Sequence, residues 1–153
     1  MVALDFPPCR SAGVQRTLKF AEYLLDFGWE PIILTVDASA HESVDESQVV
    51  PDKIKHVYRA FSYNASRDFA IKGKYLSIMK EPDRWWTWRF KAVPLGKKLI
   101  KQFQPDVIWS TYPISTAHSI AFKLAKWSGI PWVADYRDPV QSRYDSSVKT
   151  YLN

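Results

Sequence analysis

The sequence predicts an α/β fold in which a Rossmann-like, doubly wound parallel sheet of about five strands carries helices on both faces. Short apolar runs of strand length recur along the chain, as at 32–36 and 106–112. Segments of helical periodicity separate them, and Gly28 and Gly129 supply helix stops. Strands that alternate with helices form βαβ units, which have parallel strands and right-handed crossovers.

The first half of the chain contains three expected strands and one expected helix. The strands are predicted at about 2–5, at 32–36, and at 55–61, where the side chains alternate. Between the first two, a helix is predicted from Ser11–Gly13 to about Phe27, with one apolar stripe at Val14, Leu18, Ala21 and Leu25. Residues 38–53 are expected to be mostly loop, and 62–84 show little periodicity.

The second half continues the alternation. A helix is predicted over 85–103, with a kink at Pro94 and Gly96 and an apolar stripe at Trp88, Ala92, Leu95, Leu99 and Phe103. A strand at 106–112 is followed by a helix at 115–129, for which Ser115 or Thr116 is the expected N-cap. A last strand at 131–136 precedes a helix that Asp138 would cap.

The economical order of five such strands is 3-2-1-4-5. In that order the direction of sheet growth reverses between the first and fourth strands, and ligands bind at such a switch point beyond the carboxyl ends of the strands. We therefore expect the loop at 6–15 to face the loop at 111–115 across a crevice.

Composition restricts the class of protein further. The 153 residues suit one domain, and 46 % hydrophobic residues exclude a disordered chain. No apolar run reaches the length of a membrane span, and no leader is evident, so we expect a cytoplasmic protein with Cys9 as a reduced thiol. Three scattered histidines and one cysteine show no metal-ligand spacing. No nucleic-acid-binding signature accompanies the excess of 21 basic over 16 acidic residues.

Three places near the expected crevice contain candidate ligand-binding residues. Gly13 precedes a helix N-terminus, which favours an anion, and Arg16 could add a charged contact; a glycine that serves only as a turn is the alternative. Arg137 and Asp138 follow the last strand, where an ordinary cap is the alternative. His118 lies in the first turn of a helix near the same crevice, where a surface or core histidine is the commoner case.

A basic aromatic segment at 82–103 forms a separate candidate. Trp favours the membrane interface and Lys favours anionic headgroups, which predicts a peripheral membrane patch; a solvated basic face is the alternative. The patch residues are Trp85, Trp86, Trp88, Arg89, Lys97, Lys98 and Lys101.

Two long segments resemble the N-terminal, acceptor-side domain of family-4-type (group 1) glycosyltransferases of the GT-B fold. They are DFPPCRSAGVQRTLKFAEYLLDFGWEPIILTV at 5–36 and PDVIWSTYPISTAHSIAFKLAKWSGIPWVADYRDP at 105–139. The resemblance implies a retaining enzyme that needs no metal and uses a nucleotide-sugar as co-substrate and a glycan or lipid as acceptor. It assigns 1–139 to a Rossmann-like domain and 140–153 to the start of a helix, with the C-terminal donor-binding domain absent.

The resemblance also implies roles for individual residues. Gly13 and Arg16 would lie near the donor phosphates or the acceptor, and Tyr112 and Pro113 would form one wall of the cleft. Arg137 stands, with Asp138, where many relatives have a histidine close to the sugar. Because half a cleft lacks most of the groups that stabilise the leaving diphosphate, we expect this half to be inactive alone. The alternative is a non-enzymatic Rossmann-like module that uses its basic aromatic face on a membrane or a protein.

Overall fold

The fold was determined as a computed structural model, and the structure describes residues 1–70 and 82–136. Helices and strands alternate along most of this part of the chain. In order they are α1 (Gly13–Asp26), β1 (Ile32–Val36), β2 (His56–Ala60), α2 (Ala65–Asp68), α3 (Trp88–Phe103), β3 (Ile108–Thr111), α4 (Ser115–Ser128) and β4 (Trp132–Asp135). The helix predicted beyond Asp138 lies outside the described residues.

The four strands form two parallel pairs. In the first pair, β1 runs beside β2 with Ile32 opposite His56. In the second, β3 runs beside β4 with Ile108 opposite Trp132. Parallel pairing needs a crossover between partners, and α4 provides it for β3 and β4.

The prediction of a continuous five-stranded, doubly wound sheet is wrong: the described residues form two two-stranded sheets. The expected first strand at 2–5 is reduced to single-residue bridges, from Val2 to Leu34 on one side and to Ser110 on the other. The segment lies between the two pairs, but the backbone bends at Leu4 towards the loop that precedes α1. Too few consecutive residues stay in register to make a strand.

Helices pack on both sides of β1, whose side chains alternate between two apolar clusters. Leu18 and Ala21 of α1 pack with Ile33 on one side. On the other side, α3 and α4 pack over Leu34 and Val36. The apolar stripes predicted for α1 and α3 are confirmed at Val14, Leu18, Ala21, Trp88, Ala92 and Leu99, all of which are buried.

The close approach of α3 to α4 explains why position 96 is a glycine. A Cβ added at Gly96 would stand 2.5 Å from Cδ1 of Leu124, so the helices touch at a point without a side chain. Pro94 lies inside α3, which the structure describes as one helix from Trp88 to Phe103. Among the described helices, none is both long and apolar enough to cross a membrane.

The N-cap prediction for α4 is wrong. Neither Ser115 nor Thr116 caps the helix with its own side chain, and Ile114 occupies the N-cap position. Instead, the backbone N–H of Thr116 donates to Oδ2 of Asp83 at 2.7 Å, although Asp83 is distant in sequence. A helix N-terminus accepts any well-placed anion, so the cap need not come from the flanking residue.

Candidate functional site

A crevice opens beyond the carboxyl end of β3, between the start of α1 and the loop from β3 to α4. It brings together four of the predicted site residues, Gly13, Arg16, Tyr112 and Pro113. The complete lining is Leu4, Asp5, Gly13, Arg16, Thr111, Tyr112, Pro113 and Ile114.

Asp5 lies at the N-terminus of α1 and determines the chemistry there. The Ser11 hydroxyl donates to Oδ2 of Asp5 at 3.1 Å and accepts from the backbone N–H of Gly13 at 3.1 Å. A Cβ at Gly13 would stand 2.2 Å from the same carboxylate oxygen. Glycine is therefore required for a carboxylate of the protein itself to approach the helix, rather than for an external phosphate.

Cys9 shares this carboxylate. Its Sγ donates to Oδ1 of Asp5 at 3.8 Å, and the residue is buried. Burial, with the negative charge and hydrogen bond of Asp5, raises the pKa of the Cys9 thiol to about 12. Because the thiolate is the nucleophile, Cys9 is an inert thiol beside the crevice.

Arg16 spans the crevice to the second strand pair. Its Nη2 and Nε donate to the two carboxylate oxygens of Asp135 at 2.7 Å and 3.0 Å, in a bidentate pair between α1 and the end of β4. Thr111 also donates to Asp135, at 3.0 Å. The hydrogen bonds from Arg16 are the main cause that holds the pKa of Asp135 below its usual range. Arg16 thus serves first to join two segments 119 residues apart.

A second carboxylate occupies the second helix N-terminus at this end of the molecule. Asp83 accepts from Thr116 through Oδ2, and its Oδ1 accepts from the backbone N–H of Trp85 at 2.9 Å. Helix N-termini near a switch point are the usual sites for phosphate. Here both α1 and α4 direct their N-termini at the protein's own anions, Asp5 and Asp83.

His118 lies one turn into α4 and is buried. Its Nδ1 is 2.7 Å from the Ser110 hydroxyl, which also accepts from the indole N–H of Trp132 at 2.8 Å. Whether Nδ1 accepts from or donates to this hydroxyl depends on the imidazole tautomer, because the serine oxygen can both donate and accept. Burial lowers the pKa of His118, against the opposing effect of Asp135. His118 therefore supports the crevice from behind and is not among its lining residues.

Aromatic rings surround this histidine at the rim. Tyr112 lies roughly parallel to the imidazole with ring centres 6.4 Å apart, and Tyr136 lies at 4.7 Å. Tyr136 is exposed, whereas Tyr112 is half-buried. Acidic, hydroxyl and aromatic side chains therefore lie close together at this end of the molecule.

Of the remaining predicted site residues, those that the structure describes do not line the crevice. Arg137 and Asp138 lie outside the described residues. Trp88 is fully buried in the core, so it cannot belong to a surface patch. Trp85 points inward and donates from Nε1 to the carbonyl oxygen of Ala40 at 3.0 Å.

Three acidic residues of the site were missed by sequence reasoning. Asp5 and Asp135 each follow an apolar run that leads to the crevice, and this position at the carboxyl end was the available signal. Asp83 had no such signal, because it precedes α3 and contacts the N-terminus of α4, 33 residues further along the chain, only in the folded structure.

A larger groove opens at the opposite, amino ends of the strands. Its walls are mainly apolar and include Phe20, Trp29, Phe103, Trp109 and Val133. Parallel sheets bind ligands at the carboxyl ends of their strands, and the groove has no polar cluster comparable to that of the crevice. We therefore take the crevice as the candidate site.

The class defined by this geometry is an α/β protein with parallel strand pairs and a polar crevice at their carboxyl ends. No protein-family model, curated protein or solved structure matches the chain significantly. Within residues 1–70 and 82–136, no group of three His, Cys, Asp or Glu side chains could hold a metal ion.

Proposed function

We propose that this chain is the acceptor-side half of a retaining, nucleotide-sugar-dependent glycosyltransferase, inactive without a second half that holds the donor. One observation supports this proposal above the others: Asp5 and Asp83 occupy the two helix N-termini at the crevice end. A donor half would leave such positions open to the diphosphate of a nucleotide-sugar.

The charge of the crevice favours a hydroxylated ligand over a phosphorylated one. The carboxylates of Asp5 and Asp135 repel phosphate, and the bidentate pair with Arg16 partly balances only one of them. A carboxylate is, in contrast, a strong acceptor for a sugar hydroxyl. In the proposal Asp5 accepts a hydrogen bond from the acceptor hydroxyl, while the ring of Tyr112 packs against the acceptor.

The proposal has further parts that rest on the resemblance or on the composition of the sequence. The donor is a nucleotide-sugar, the acceptor is a glycan or a lipid, the protein is cytoplasmic and nucleic acid is not a partner. The reaction uses no metal, and the positive charge that stabilises the leaving diphosphate comes from the second half. Arg137 and Asp138 are proposed to lie next to the reacting sugar.

The test is sugar transfer by the natural gene product that contains this chain. UDP-, GDP- and ADP-sugars are incubated with lipid and glycan acceptors, and release of the nucleoside diphosphate is measured. We expect turnover with one nucleotide class, and no turnover by residues 1–153 alone. Failure with all three nucleotide classes would contradict the proposal.

The Asp5→Asn variant tests the role of the crevice. We expect the KM for the acceptor to rise about tenfold, as expected for loss of one charged hydrogen bond, with little change in the KM for the donor. Asp26→Asn, at an exposed position of the same helix, is the matched control and should leave both constants unchanged. A rise confined to the donor KM would show that the assignment to the acceptor is wrong.

A non-enzymatic binding module is the second candidate, and the concentration of basic charge on α3 and α4 favours it. Such a module would need no partner half. A natural gene product without a donor-binding half, and without turnover, would favour this candidate.

A further inference from the structure

The outer layer formed by α3 and α4 has a charge distribution unlike the rest of the chain. Neither helix contains an Asp or Glu, yet together they contribute seven of the 21 basic residues. The remainder of the chain then has 14 basic against 16 acidic residues. The net positive charge of the chain therefore comes from these two adjacent helices. Their basic residues are Arg89, Lys91, Lys97, Lys98, Lys101, Lys123 and Lys126.

Bulky apolar side chains lie exposed among these lysines. Phe90 is 59 % exposed, Phe122 is 51 % exposed and Trp127 is 43 % exposed. Exposed lysines on the same two helices are Lys91, Lys98, Lys101, Lys123 and Lys126. We call this surface, Phe90 to Lys101 of α3 together with Phe122 to Trp127 of α4, the α3–α4 face.

Trp127 links the two helices at this surface. The Nζ atoms of Lys97 and Lys101 stand 4.9 Å and 5.9 Å from the centre of its ring. The Trp127 ring thus lies beside two ammonium groups of the neighbouring helix. This arrangement suits the interface of a bilayer, where an indole lies between the charged headgroups and the acyl chains.

The composition of the face selects the chemistry of its partner. A surface of one charge sign requires an anionic partner. Six of the seven basic residues are lysines, whereas recognition of individual phosphates favours the fork of arginine. The single arginine, Arg89, lies over the rings of Trp86 and Phe90 at 5.6 Å and 4.9 Å. Lysines around exposed Trp and Phe match an anionic bilayer better than a nucleic acid.

We propose that the α3–α4 face docks on an anionic phospholipid bilayer, with Phe90, Phe122 and Trp127 in the headgroup region and the lysines on the lipid phosphates. The surface differs from the membrane patch predicted from residues 85–101, because it excludes the buried Trp88 and includes α4. The crevice lies at the carboxyl ends of the strands, so docking through this layer leaves it open. The inference is independent of sugar transfer, because vesicle binding requires no turnover.

The test is sedimentation of the full chain with vesicles of phosphatidylglycerol and phosphatidylcholine in equal parts, beside vesicles of phosphatidylcholine alone. We expect binding only to the anionic vesicles, and weaker binding at high salt. The Lys98→Gln/Lys101→Gln/Lys126→Gln variant should bind about 100-fold more weakly, at about fivefold per lysine.

A matched control removes the same charge elsewhere. Lys19→Gln/Lys53→Gln/Lys55→Gln replaces three exposed lysines outside the α3–α4 face. It should bind within about twofold to threefold of the unmodified chain, because charges distant from the bilayer are screened. Equal loss in both triple variants would overturn the proposal, as would binding that ignores lipid charge. Circular dichroism and thermal unfolding confirm that each variant is folded.

A second pair of variants tests the aromatic contribution. Trp127→Ala should weaken vesicle binding about tenfold, because one indole leaves the headgroup region. Trp29→Ala removes a similarly exposed tryptophan, 47 % against 43 %, from the groove at the amino ends, and should have no effect. Single-stranded and duplex DNA are tested at the same salt; binding to DNA that is tighter than binding to anionic vesicles would assign the face to nucleic acid and overturn the bilayer proposal.

Discussion

The crevice and the α3–α4 layer are built on different physical principles. In the crevice, specific polar pairs join segments that are distant in sequence, as in the contact of Arg16 with Asp135. In the α3–α4 layer, stability comes from apolar packing around Trp88 and from close helix contact at Gly96. The charged side chains of this layer are all basic and lie on its outer surface.

This difference predicts opposite responses to mutation. A packed layer loses stability when a large buried side chain is removed, but tolerates changes of surface charge. A polar crevice loses little stability with any one pair, since partly exposed ion pairs contribute little. Its pairs instead set the protonation and reactivity of neighbouring groups. The following variants test this contrast.

Trp88→Ala should have the largest effect, because the side chain is fully buried against β1, β2 and α4. Truncation of a buried tryptophan costs about 3–5 kcal/mol. The free energy of unfolding is measured in urea. Trp127→Ala on the same layer is the control, and we expect it to cost less than about 1 kcal/mol because the ring is exposed. Similar losses in the two variants would contradict the assignment of Trp88 to the core.

His118→Asn should change the pH dependence of stability. Burial lowers the pKa of His118, and of His41, below the value of about 6.5 in the unfolded chain. The unfolded state therefore binds protons first, so this part of the stability is present above about pH 6.5 and is lost as the pH falls towards the folded pKa. We expect a loss of about 1–2 kcal/mol at pH 7 from the broken contacts, and a smaller loss on acidification than in the unmodified chain.

Urea titrations between neutral and mildly acidic pH measure this effect. The imidazole lies near Ser110, Trp132, Tyr112, Tyr136 and Asp135. Gln102→Ala, at an exposed position of α3 without a titratable side chain, is the control, and its loss of stability on acidification should match that of the unmodified chain. If His118→Asn loses as much stability on acidification as the unmodified chain, burial does not keep His118 neutral.

Asp5→Asn should destabilise the chain by about 1 kcal/mol, because the anion at the N-terminus of α1 is lost. It should also lower the pKa of the Cys9 thiol from about 12, since the charge of Asp5 is one of its causes. Alkylation of Cys9 under native conditions should therefore become faster. Asp26→Asn serves as control. No change in alkylation rate would show that burial alone determines the thiol pKa.

Arg16→Met should have the smallest effect on stability, below about 1 kcal/mol, because the Arg16 side chain is 48 % exposed and its charge is screened by solvent. The pKa of Asp135 should rise towards its ordinary value. The pair stabilises the fold above the unfolded pKa of about 3.9 and this contribution is lost as the pH falls through the folded pKa, so the variant should lose less stability in acid. Lys19→Met, which breaks an exposed pair within α1, provides the comparison.

Much of the local structure was predictable from sequence. The strands at β1 to β4 and the helices α1, α3 and α4 follow hydrophobic periodicity, and the stripes at Leu18 and Trp88 identify their buried faces. The sequence also predicted that the loops before α1 and α4 face each other across a crevice, because parallel strands end at the same edge of the fold. These are local patterns, or consequences of chain direction.

The sheet and the interior of the crevice could not be predicted in the same way. The segment at 2–5 is apolar like a strand, but bending at Leu4 limits its pairing to Val2. The capping of α4 by Asp83 joins two residues 33 positions apart, and no periodic pattern reports such a contact.

The sequence by itself therefore determined where the helices and strands lie, which faces are buried, and that the positive excess belongs to 88–128. Only the tertiary structure decided that the strands form two pairs, that Trp127 is exposed on the outer surface, and that carboxylates occupy both helix N-termini at the crevice. The reason is physical: periodicity records the burial of each residue along its own element, whereas pairing and charge neutralisation depend on which distant segments meet.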